Sequence, residues 1–424
     1  VKYLIVAGLC LWSFVAGAAP NIVLLSVDTL RADRLGVYGY ALPTSSTLDE
    51  FAKSARVFED AVCEVPLTGP SMGAMLSSQF PRTTGTTRNG LAMPSAVPLV
   101  AEQFQAAGYH TFGVLSNWTL KDKLSGLGRG FDIYDDGFTK KRWGFLKSER
   151  DGDEVTALSL DYLEKRPVDK PFFAWIHYSD PHAPYKMHKG LNPSGKRVLV
   201  KGRKEKIRAR YDSEVAFTDR EIAKVLAALP ADTVVVFVAD HGESLFEHDY
   251  LGHGRRIYQN NLHIPLMIRG EGIEVGRSAV PVRGVDVGPT LLGLAGLPKL
   301  PGMQGLDLLH DEVPMDRVRV VETYGGAVPN IPGVKDAMAD SGPSHRSVIH
   351  QGWKLILDGD DPELYFLPED PGELTERLGT DPGKREELNA FIEAWEDAAP
   401  AAGQATENLD ADDRKALEAL GYLE

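Results

Sequence analysis

The chain has 424 residues, 43% hydrophobic and 25% charged, enough apolar material to bury a large core. Its formal net charge of -14 excludes general nucleic-acid binding, because phosphate backbones are gripped by an excess of Lys and Arg. An anionic substrate must therefore be held locally, by a metal or by a few basic groups.

Val1-Lys2, an apolar run from Tyr3 to Val15 and the small residues Ala16-Gly17-Ala18-Ala19 read as a secretory signal over residues 1–19. The expectation is an exported protein, periplasmic or secreted, with no integral membrane span once that leader is removed. Cleavage would take Cys10 with it and leave Cys63 alone, so no intramolecular disulfide is expected.

Apolar, β-branched runs bounded by turn residues predict strands at Asn21–Val27, Thr111–Leu115, Phe172–His177, Thr233–Ala239 and His263–Ile268. Helical patterns fall between them at Ser46–Ala55, Ser71–Ser78, Val97–Ala107, Val155–Lys165 and Asp212–Leu229. Strand alternating with helix implies an α/β fold, a mainly parallel central sheet with helices on both faces, spanning residues 20–297. From Pro298 onward the texture changes, with strands expected in Val348–Ile356 and Leu364–Leu367, a helix at Lys384–Ala398 and a short one over Asp410 to Tyr422. Residues 298–424 read as a smaller C-terminal α+β subdomain. The segment 186–210 holds ten of the 46 Lys and Arg residues and one acid, Glu205; it reads as a solvated loop, with a basic lid as the sharper alternative.

In parallel sheets ligands gather at the carboxyl ends of strands. Asp28 stands at such an end, where a buried carboxylate needs a positive partner, either Arg31 or a metal. The fourth predicted strand delivers Asp240-His241-Gly242-Glu243, adjacent oxygen and nitrogen ligands before a glycine that lets the backbone turn closely. Mixed ligands favour zinc or manganese over calcium or magnesium as the divalent ion. In Thr68-Gly69-Pro70-Ser71, Pro70 suits a first helical position with Thr68 or Gly69 at the cap. Thr68 is thus a helix cap or a nucleophile with a metal-activated hydroxyl, its ester oxyanions facing free helix N–H groups; Ser71 either donates to substrate or caps.

Ser26-Val27-Asp28-Thr29-Leu30-Arg31-Ala32-Asp33-Arg34-Leu35-Gly36, Thr68-Gly69-Pro70-Ser71 and Asp240-His241-Gly242-Glu243, in this order, resemble the sulfatase family of the alkaline-phosphatase superfamily. Trp353-Lys354-Leu355-Ile356, Leu364-Tyr365-Phe366-Leu367 and Asp370-Pro371-Gly372-Glu373 resemble the end of that family's chains. The resemblance implies that Asp28, Asp240 and His241 ligate a metal and that residue 68 is the nucleophile. It places Asp180-Pro181-His182-Ala183-Pro184-Tyr185 at the rim, with Asp180 and Arg31 on the substrate side. His182 and His253 would act on substrate or leaving-group oxygens, and a second metal would draw on Asp180, His182, His253 or His177.

The departures from the family's pattern are informative. Sulfatases convert Cys or Ser to formylglycine where this chain has Thr68, which cannot be converted; Thr29 and Met72 stand where the family carries a second acid and an arginine. The threonine, the Asp-His pair and a downstream His-Gly are similar to phosphoethanolamine and phosphoglycerol transferases of the same superfamily. The expectation is a metal-dependent hydrolase or transferase acting through Thr68 on phosphate esters of a small molecule, glycan or lipid. A sulfatase working without formylglycine and a non-catalytic binding protein are the rivals.

Overall fold

A computed structural model describes residues 19–138, 149–193, 202–325, 345–359 and 361–420. Its centre is an eight-stranded sheet of β1 (Ile22–Val27), β2 (Arg56–Val62), β3 (His110–Val114), β4 (Ile133–Asp135), β5 (Phe172–Tyr178), β6 (Val234–Ala239), β9 (Leu266–Arg269) and β10 (Gly276–Arg283). Between β6 and β9 lies a small hairpin, β7 (Ser244–Leu245) and β8 (Leu251–Gly252). The sheet runs β10-β2-β9-β6-β1-β5-β3-β4. All pairings are parallel except those of β9, which runs antiparallel to β2 and β6.

The three middle strands β1, β5 and β6 are buried at every residue, as continuous apolar runs covered on both faces should be. The strands that escape the apolar pattern flank them. In β2, Arg56, Glu59 and Asp60 interrupt the run, and β10 carries Pro281 on an edge strand beside an irregularity in register, where a missing N–H is tolerated.

Two corrections concern helices. The helix expected at Ser71–Ser78 spans Thr68–Ser77, so Leu67 is its cap and Thr68 its first helical residue. The helix expected at Asp212–Leu229 spans Arg203–Ala228 and takes in the last third of the basic segment, residues 203–210. Lys and Arg are good helix formers, and the charge run masked that propensity. Its basic side chains grip the small hairpin: Arg208 Nε donates to the Leu245 carbonyl, and Lys204 lies over the Phe246 ring and 3.4 Å from Asp249. Residues 194–201 of that segment lie outside the described residues, as does the leader up to residue 18.

The C-terminal part is a separate antiparallel sheet of β11 (Arg319–Thr323), β12 (His345–His350), β13 (Trp353–Leu357) and β14 (Glu363–Phe366). The helix Pro382–Ala398 covers it, closing a core of Val320, Val348, Leu355, Leu364, Leu388 and Ile392. No helix among the described residues is long and apolar enough to cross a membrane.

Candidate active site

Register places the first two site residues. Val27 of β1 pairs with Ala239 of β6 in a parallel ladder, so Asp28 and Asp240 leave the sheet side by side at its carboxyl edge. His241 Nε2 lies 3.8 Å from Asp28 Oδ1 and 3.5 Å from Asp240 Oδ2. All three side chains are fully buried, and none of these three atoms has a hydrogen-bond partner. Among the described residues they form the one group of at least three His, Cys, Asp or Glu ligands whose atoms lie within 4.8 Å of one another.

The remaining atoms of the triad are tied down. Asp28 Oδ2 accepts from Ser179 Oγ at 2.8 Å and from Asn117 Nδ2. Asp240 Oδ1 accepts the backbone N–H groups of Thr29 and His241 at 3.0 and 2.7 Å. Thr29 reaches that position with φ of 55°, a left-handed conformation costly for a β-branched residue and characteristic of functional sites. His241 Nδ1 lies 2.9 Å from the Gly242 carbonyl, which can only accept, so Nδ1 carries the proton and Nε2 presents its lone pair to the carboxylates. Gly242 is required here because a Cβ would meet the Asn260 carbonyl oxygen at 2.1 Å.

Electrostatics mark the same point. Burial raises Asp28, but the charges of His182, His241, His177 and His253 prevail and hold its carboxyl down at about 2. Burial, then the Asp28 charge, pushes Asp240 well above the carboxylate range. Burial, then His253, lowers His241 to about 3 and keeps it neutral. Two buried carboxyl groups meet here beside a neutral imidazole, and no lysine or arginine among the described residues pairs with either. The donor set and its orphaned atoms fit a divalent cation.

Thr68 Oγ1 is a fourth orphan, fully buried with no partner. One turn on, Ser71 Oγ donates to the Asp240 carbonyl at 2.6 Å and locks the helix start against the Asp240-His241 loop. The expected row of free helix N–H groups is absent: Gly69 N–H goes to Asn89 Oδ1, Ser71 N–H goes to the Leu67 carbonyl, and Pro70 has none. Met72 is fully buried in the main core.

His182 and His253 stand over the triad, with ring centroids 5.2 Å apart and His253 4.6 Å from His241. Each is backed by a buried carboxylate: Glu149 Oε1 lies 2.8 Å from His182 Nδ1, and Glu243 Oε1 3.1 Å from His253 Nδ1. Tyr185 OH fixes the other oxygen of Glu243 at 2.8 Å. Deeper in, Trp175 Nε1 donates to Ser26 Oγ, which is 2.7 Å from His177 Nδ1, and His177 Nε2 is buried without a partner.

Two residues expected at the substrate have other commitments. Arg31 bonds Asp33 at 2.6 and 2.8 Å, Glu247 at 3.1 Å and the Glu243 carbonyl at 3.0 Å, which also corrects the pairing of Arg31 with Asp28. Asp180 Oδ1 accepts the N–H of Gly152, the first residue of the helix Gly152–Lys165.

Residues 20–297 match the family model described as Sulfatase. The chain belongs to the sulfatase family. An ulvan-active sulfatase from Formosa agariphila is 27% identical over 363 residues, 74% of this chain and 70% of that protein. A choline-sulfatase from Rhizobium meliloti is 23% identical over 429 residues, covering 84% and 82%. Among solved structures, a 2-O GAG sulfatase superposes with TM-score 0.70 at 19% identity over 90% of this chain and 92% of that one. The phosphonate monoester hydrolase of Agrobacterium radiobacter gives 0.71 at 18% identity over 89% and 95%. Family and fold together make this an ester-cleaving enzyme.

Three polar residues of this sulfatase-family site, Asn117, Glu149 and Asn89, carry no motif, and Arg255 follows the His253 motif in sequence. Asn117 and Glu149 hold Asp28 and His182. Asn89 Nδ2 is a buried donor without a partner beside the Thr68 helix. Arg255, two residues past His253, has Nε and Nη2 buried and unpartnered, and burial lowers its pKa. The only sequence signal for Arg255 is its place after Leu251-Gly252-His253-Gly254.

Proposed function

We propose that this protein cleaves or transfers phosphate esters through Thr68. The observation that carries the reading is the buried, unpartnered Thr68 Oγ1 on a helix fastened, through Ser71, to the loop of Asp240 and His241. Asp28, Asp240 and His241 would hold a divalent cation, which when bound would supply Lewis-acid polarisation and a lowered pKa for a nearby hydroxyl. Thr68 Oγ loses its proton to solvent and attacks phosphorus, the phosphorus–oxygen bond to the alcohol breaks, and His182 supplies the proton that this oxygen takes up, regaining one from solvent. His253, over the triad, and Asn89, beside the Thr68 helix, would stabilise the charge left on the phosphoryl group. Water or a second alcohol releases it and restores the Thr68 hydroxyl.

A sulfatase acting without formylglycine is the second reading, favoured by the sulfatase names of the relatives. Paired aryl phosphate and aryl sulfate esters separate the two. The proposal expects faster release of phenol from the phosphates and, on acid quench, a phosphorylated peptide containing Thr68. Preference for the sulfates without such an adduct would overturn it.

A further inference from the structure

His253 sits on a loop whose next six residues are held almost continuously by the C-terminal part of the chain. Thr323 Oγ1 on β11 donates to the Gly254 carbonyl. Arg256 Nη1 donates to Asp358 at 2.7 Å, just past β13. Lys354 Nζ on β13 donates to the Ile257 carbonyl at 2.6 Å. Tyr258 OH bonds both oxygens of Glu363 on β14, and Gln259 N–H donates to Glu373 Oε2 at 2.6 Å.

Lys354 and Glu373 are the heart of this grip. Lys354 is 0% and Glu373 2% exposed, and their charges meet at 2.5 Å. A buried ion pair is weak evidence of stabilisation, since apolar residues of similar volume often serve stability as well or better. Here the hydrogen-bonding capacity left over from the pair goes to the loop backbone. The ammonium takes one of its carbonyls and the carboxylate takes one of its N–H groups, so the pair reads both polarities of a single backbone segment. Glu373 holds its place with φ of 55°, a strained conformation for a side-chain-bearing residue.

We propose that Lys354 and Glu373 are positioning residues for the ester-cleaving site. They transmit the seating of the C-terminal sheet to the 253–259 loop and so fix His253 over the triad. Neither residue touches the reacting atoms; the inference rests on the role given to His253 above.

A double-mutant cycle on the metal-loaded full chain tests this, using whichever aryl ester the wild type turns over faster. Lys354→Met should lower kcat about tenfold or more with a smaller change in KM, because misplacing a catalytic group by about 1 Å can cost a hundredfold. In a His253→Asn background the same substitution should cost less than about twofold, since the group it positions is already gone. Equal fold-losses in both backgrounds would overturn the proposal. Should Lys354→Met not fold, Thr323→Val removes another contact to the same loop without stranding a buried charge. Hydrogen exchange gives a readout independent of turnover: amides of residues 254–259 should exchange faster in Lys354→Met while those of Val234–Ala239 do not change. Unchanged loop exchange would also overturn the proposal. A wild type inactive on both esters would defeat the functional reading, and exchange would still decide whether the loop is clamped.

Discussion

Glu149 Oε1 lies 2.8 Å from Nδ1 of His182, and the two residues reach each other across 33 positions of sequence. The carboxylate sets the orientation of the imidazole, and on the proposed mechanism Nε2 is then the atom that would give the proton to the departing alcohol. Glu149→Gln should therefore lower kcat/KM by about tenfold on esters with poor leaving groups, within the range expected of general-acid catalysis. Esters with good leaving groups should suffer less. Plotting log kcat/KM against leaving-group pKa checks this: a slope as shallow as the wild type's would mean that Glu149 has no part in proton delivery.

What was legible in the sequence follows physical lines. Asp28, Asp240 and His241 were readable because each follows a strand buried on both faces, and such strands are unbroken apolar runs. Glu149 and Asn117 were not, because a single polar residue in a connecting segment has no periodicity, and its role exists only once β3 and β5 bring the segments together. The start of the Thr68 helix is not fixed by Pro70. Proline is tolerated throughout the first turn, where an intrahelical donor is not yet needed, so it bounds a helix start only to within a turn. β2 and β10 were missed because polar residues and a proline break their apolar runs at the sheet's outer end.

The triad predicts a metal-dependent fold as well as a metal-dependent reaction. His241→Ala should lower the content of divalent ion, measured by elemental analysis after purification without chelator, from about one per chain to near zero. A cation that binds only the folded chain stabilises it by about 2.7 kcal/mol when present at a hundred times its Kd. Chelation should therefore lower the wild-type melting temperature and leave that of His241→Ala unmoved. Equal shifts in both proteins would place the ion elsewhere.

His177 predicts an acid-side loss of stability. Burial lowers its folded-state pKa to about 4, below the unfolded value of about 6.5. The unfolded chain then binds the proton first, so stability falls as pH drops from about 6.5 to about 4 and this contribution levels off below that. A gap of this size is worth about 3 kcal/mol, given about 1.4 kcal/mol per pKa unit. Urea unfolding at pH 7 and pH 4.5 should show a smaller loss in His177→Asn than in the wild type. Identical losses would remove His177 as the cause.

Gly242 predicts a steric failure at the turn after Asp240 and His241. Gly242→Ala puts a Cβ 2.1 Å from the Asn260 carbonyl oxygen, backbone that cannot swing away as a side chain would. Overpacking of this kind costs about 1–3 kcal/mol, and the displaced loop carries His241 and Glu243. Calorimetry and activity should fall together; a variant with wild-type melting and turnover would show that the turn has room.

The most direct test is the turnover of an aryl phosphate ester by metal-loaded Thr68→Ala protein. Thr68 Oγ1 has no hydrogen-bond partner to lose, so the substitution removes one hydroxyl from the site and leaves the fold's polar contacts intact. The account predicts that the variant folds, keeps its divalent ion and gives no measurable turnover. Turnover at the wild-type rate would contradict it and reduce Thr68 to the first residue of a helix.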